Sequence, residues 1–73
     1  MKLIDFLRVC KAERVIIHME RYNVLVYAGE TDDAIFILSN GSYRALQATV
    51  TGFTSHNDKI YVKIRGVVDY DVW

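Results

Sequence analysis

GETDDAIFILSNGSY, residues 29–43, decides the fold of this chain, because two local structures fit it. In the first, Thr31 caps a helix, Asp32 and Asp33 sit in the first turn where the macrodipole favours negative charge, and Asn40-Gly41 ends it. Ala34, Ile35 and Leu38 then form the inward face. In the second, Ala34 to Ser39 is a strand and Asn40-Gly41 is the type I′ turn of a hairpin. The helix is carried forward, and the hairpin stays open for residues 32–43.

Outward from this segment the period is plainer. Upstream, Val15, Ile17 and Met19 alternate with Ile16, His18 and Glu20, a run of β-branched residues with period two. Glu20 to Asn23 is a polar reversal, and Val24, Val26 and Ala28 alternate with Leu25 and Tyr27, which closes a first hairpin. Before it, Leu3, Ile4, Leu7 and Cys10 recur at helical spacing between Lys2, Asp5 and Arg8. Downstream, Leu46, Ala48 and Val50 alternate with Gln47, Thr49 and Thr51. Gly52 suggests a bulge, SHNDK (residues 55–59) a turn, and Ile60, Val62 and Ile64 a core-facing strand that runs on toward Val67 and Val68. The order α-β-β-α-β-β defines an α+β class: one domain over residues 1–73, an antiparallel sheet of about four strands with short helices on one face and the other, partly solvated face carrying Tyr61, Lys63, Arg65 and His18.

Composition bounds the function. With 9 Lys+Arg against 9 Asp+Glu the formal net charge is zero, so no strong field points to a nucleic acid or a membrane. The 52% hydrophobic fraction is that of a folded chain. A single cysteine, Cys10, rules out an internal disulfide and points to a reducing cytoplasm. Asp5 and Arg8 interrupt the opening apolar run before a signal-peptide core forms, and no run approaches the length of a membrane span, so a soluble chain without membrane contact is expected.

Catalytic and metal chemistry finds no support in the residue pattern. Cys10, His18 and His56 lack the close spacing of a zinc site, and no third group stands by to orient a Cys-His pair. The four glycines are isolated, which excludes a phosphate loop. Glu30, Asp32 and Asp33 are too few for a calcium loop and are accounted for by a helix start. The expectation is therefore no enzyme, no cofactor and no metal. Two features remain for partner binding. Arg44, Tyr61, Lys63 and Arg65 put basic and aromatic groups together as sheet-based single-strand binders do, although a solvated strand face looks the same. Tyr70 and Trp73 close the chain with aromatics of the kind enriched at interfaces, set to pack on their own sheet or across a homodimer.

MKLIDFLRV, the hairpin RVIIHMERYNVLVYAGE, the acidic-led TDDAIFIL and the closing NDKIYVKI together resemble a family of short proteins encoded by bacteriophages and prophages of Gram-positive hosts. The family pattern usually carries a proline after the acidic pair, where this chain has Ala34 or Ile35, and GVVDYDVW lies outside it. The resemblance implies a small non-enzymatic accessory protein in the cytoplasm of the infected cell that binds and modulates a host protein, inhibitors of host defence such as anti-CRISPR proteins being one class. The alternatives are a nucleic-acid-binding module on the basic and aromatic hairpin face, and a structural or assembly protein acting as an oligomer.

Overall fold

Strands form where branched residues alternate, and the two helices of more than one turn form where apolar residues recur every three to four. The computed structural model describes residues 1–21 and 23–66. Helix α1 spans Leu3–Val9, strand β1 Arg14–Met19, β2 Leu25–Glu30, helix α2 Thr31–Gly41, the single turn α3 Tyr43–Leu46, β3 Thr49–His56 and β4 Lys59–Arg65. The continuation of the last strand through Val67 and Val68, and the packing expected of Tyr70 and Trp73, lie outside the described residues.

The disputed segment is a helix. A strand would have put Ala34, Phe36 and Leu38 on one face. Instead Ala34 and Leu38 are fully buried and Phe36 is 73% exposed, a separation only the helical period allows. Asp32 and Asp33 fill the first turn as expected, while the N-cap falls on Glu30 and Thr31 becomes the first helical residue. Its hydroxyl is buried without a hydrogen-bond partner. The strand expected from Leu46 begins only at Thr49: Tyr43–Leu46 is helical, and Ala48 donates its amide to the Ala45 carbonyl at 3.1 Å. Alternating Leu46 and Ala48 mimicked a strand because both are buried, Leu46 from the α3 turn and Ala48 from the link that follows it.

The sheet order is β2-β1-β4-β3. Both hairpins are antiparallel as expected, with Asn23 and Asn57 in left-handed turn conformations that asparagine tolerates. The seam between them is not: β1 and β4 run parallel, from Arg14 opposite Lys59 to Met19 opposite Ile64, so the sheet is mixed. Ladder register shifts between Val50 and Gly52, the bulge that Gly52 suggested, leaving Thr51 as the extra residue. Met1 to Leu3 lie along the outer edge of β3, with Leu3 bonded to Ala48 and Val50 to Met1, which blunts that edge. All three helices cover one face, where Leu3, Leu7, Leu38 and Leu46 pack on Val15, Ile17, Val62 and Ile64. Among the described residues nothing forms a layer on the opposite face.

Candidate surface on the uncovered sheet face

Strand alternation sends every second side chain to the uncovered side, and the register aligns these residues in rows across the strands. The first row reads Glu30, Arg14, Lys59, His56; the second Ala28, Ile16, Tyr61, Thr54; the third Leu25, His18, Lys63, Gly52. Tyr61 on the central strand β4 is 37% exposed and Leu25 on the β2 edge 61%. Beyond the third row Arg65 pairs with Glu20 through Nε and Oε1 at 3.2 Å, which ties the end of β4 to the end of β1. An aromatic and an aliphatic side chain therefore sit side by side at the middle of the face. Arg14, Lys59 and Lys63 surround them. A shallow groove runs beside this centre between His18, Tyr61, Lys63 and Thr54.

Three of the sequence-level candidates are thus brought together: Tyr61, Lys63 and Arg65. Arg44 is not, since it belongs to α3 in the helical layer on the other side of the sheet. Tyr70 and Trp73 lie outside the described residues. His18, expected on the solvated face from its alternation, lies there opposite Lys63, and Arg14 and Ile16 join the surface through the parallel seam, which no local pattern announces.

The groups considered for chemistry are dispersed. Cys10 packs against the core on the helical side, His18 lies on the open face, and His56 is on β3, separated from β1 by β4. Among the described residues no three His, Cys, Asp or Glu side chains stand close enough to hold a metal ion. No helix among them is long and apolar enough to cross a membrane. A hollow at the start of β1 gathers Glu13, Glu30 and Asp32 around Arg14, acids facing a base. Nearby, the buried Tyr27 phenol donates to the Glu30 carbonyl at 2.8 Å. Burial first, then the charges of Asp33 and Glu30, raise its pKa above the ordinary tyrosine value, against a lowering by Arg14.

Comparison with protein-family models, with curated proteins and with solved structures finds no match to this chain.

Proposed function

We propose that this chain is a non-enzymatic binding module that seats an acidic protein surface on its uncovered sheet face, with Tyr61 and Ile16 as the anchor and Arg14, Lys59 and Lys63 as the rim. The observation that carries this is Tyr61 beside Ile16 at the centre of a sheet face that no layer covers among the described residues, with Lys59 and Lys63 on either side of Tyr61 along β4 and Arg14 at the near end of β1. Tyrosine and arginine dominate interface hot spots, and rim charges of one sign steer a partner of the other. The resemblance to phage and prophage proteins makes the partner a host protein and the compartment the host cytoplasm, with components of host defence such as CRISPR effectors among the targets.

A second reading, single-stranded nucleic acid on the same face, is favoured by Lys59, Tyr61 and Lys63 alternating on one strand. It ranks lower because such platforms stack successive bases on several rings. Among the described residues this face offers one tyrosine, set between Ile16 and Thr54.

The test is capture from host lysate by tagged wild type, Tyr61→Ala and Lys63→Glu, each at low and high salt and with nuclease added to half. A host protein held through nuclease by the wild type and lost from both variants is the expected result. Equal retention by the variants would remove the sheet face from the proposal, and material lost on nuclease treatment would move it to the second reading.

A further inference from the structure

Gly52 faces the open side of the sheet opposite Lys63, in the row that begins at Leu25 and His18. The bulge beside it takes Thr51 as its extra residue and leaves Gly52 in register. Neither crowding nor backbone conformation demands a glycine there. A Cβ built at this position meets no atom within 4 Å, and φ lies outside the left-handed region. Glycine in a strand costs stability, because it offers nothing to pack and loses the most freedom on folding. What its missing side chain does is leave open the groove beside Tyr61 and Lys63. The groove holds about 280 Å³, below the roughly 300–1,000 Å³ of pockets that enclose a whole small ligand, so it suits one side chain presented by a partner.

Around this space stand the Lys63 ammonium, the His18 imidazole and the Tyr61 hydroxyl. Among the described residues none of these three side chains has a hydrogen bond or an ion pair. The acid of the groove is already engaged, since Glu20 accepts from Arg65 Nε at 3.2 Å, and the Thr51 hydroxyl donates to the Lys63 carbonyl at 3.3 Å. An ammonium has donors only, so the complement of this lining is a compact anion that accepts several charge-assisted hydrogen bonds. Given the sheet face as a protein-docking surface, on which this rests, we propose that the groove over Gly52 is a carboxylate subsite for one Asp or Glu side chain of the acidic partner. Lys63 is its counter-ion, His18 and Tyr61 are further donors, and Gly52 keeps the space. Any side chain at position 52 stands where the carboxylate sits.

Amide NMR shifts of the whole chain, followed at constant ionic strength, test this with acetyl-glutamate methylamide, its glutamine counterpart and thymidine monophosphate as probes. The glutamate probe is expected to move the Gly52 and Lys63 amides saturably. The glutamine probe should bind about tenfold more weakly, because it loses the charge-assisted bonds. Gly52→Val, which sets a strand-favouring side chain in open space, should keep the fold and lose the glutamate shifts. Gly52→Ala, the smaller intrusion, should weaken binding severalfold, as should Lys63→Gln. No saturable shift, glutamine bound as well as glutamate, tighter binding of thymidine monophosphate, or folded Gly52 variants that bind like wild type would each overturn the subsite. Host protein retained by Gly52→Val but lost from Tyr61→Ala would overturn it too, with the docking face left in place. A saturable glutamate site on a chain that captures no host protein would support the carboxylate subsite and overturn the docking reading alone.

Discussion

At Gly29 the backbone is hemmed in by a side chain from its own strand. A Cβ built there would lie 2.8 Å from the Tyr27 Oη and 3.1 Å from its Cζ. The ring cannot swing away freely, because it is buried and its hydroxyl holds the Glu30 carbonyl just before α2. Gly29→Ala should therefore cost about 1–3 kcal/mol as an overpacked site does, read as a fall in the urea midpoint. Tyr27→Phe removes only the hydrogen bond and should cost about 1 kcal/mol. The raised phenol pKa adds a pH signature with a definite sign. The folded state holds the proton more tightly than the unfolded chain, so this stabilisation is complete below the unfolded tyrosine value near 10 and is lost as pH rises through the higher folded value. Above about pH 10 the wild type should lose stability more steeply than Tyr27→Phe; parallel curves for the two would show that Tyr27 titrates as it does in the unfolded chain.

Among the elements, α2 shows how far a sequence can be read. Its acids, its inward Ala34 and Leu38 and its Asn40-Gly41 end were all legible, yet a hairpin fitted as well, since Ile35, Phe36 and Ile37 make both faces of a strand apolar. Packing decided it: the helix buries Ala34 and Leu38 against the sheet at the expense of leaving Phe36 in water. Leu38→Ala should cost about 2–5 kcal/mol, comparable to the whole stability of about 3–5 kcal/mol that so small a core supplies. Much of that variant should be unfolded at room temperature by circular dichroism. Phe53→Ala, by contrast, removes a 60% exposed ring tilted against Phe6 at a centroid distance of 5.3 Å. It should cost only about 0.5–1.5 kcal/mol and leave the domain folded. The α3 turn was illegible for the opposite reason. Four residues carry too little periodicity to outweigh a neighbouring strand pattern, and the turn is anchored by burial of both Ala45 and Leu46 in the core.

For the molecule as a whole, the decisive feature is the pairing of β1 with β4 across most of the chain length. Alternation within each hairpin is local and was readable, which is why Tyr61, Lys63 and Arg65 were placed on an outward face correctly. Which hairpin edges meet, and in which direction, depends on the long connection through α2 and α3, so His18 could be put on the solvated face by its alternation but Arg14 and Ile16 could not be set beside Tyr61 from sequence. The seam also separates two surfaces physically, the open sheet face and the outer stripe of α2, with the core between them. Substitutions should therefore sort by side. Ile16→Thr keeps a β-branched residue suited to a strand but removes apolar contact opposite Tyr61. If Ile16 is an anchor, partner affinity should fall by more than about 1 kcal/mol, roughly fivefold or more, with sedimentation unchanged. Arg44→Asp, on the helical side, should leave partner affinity as it was. Should Arg44→Asp reduce partner capture while Ile16→Thr does not, the binding surface lies on the helices, and the exposed Phe36 would then be its centre in place of Tyr61.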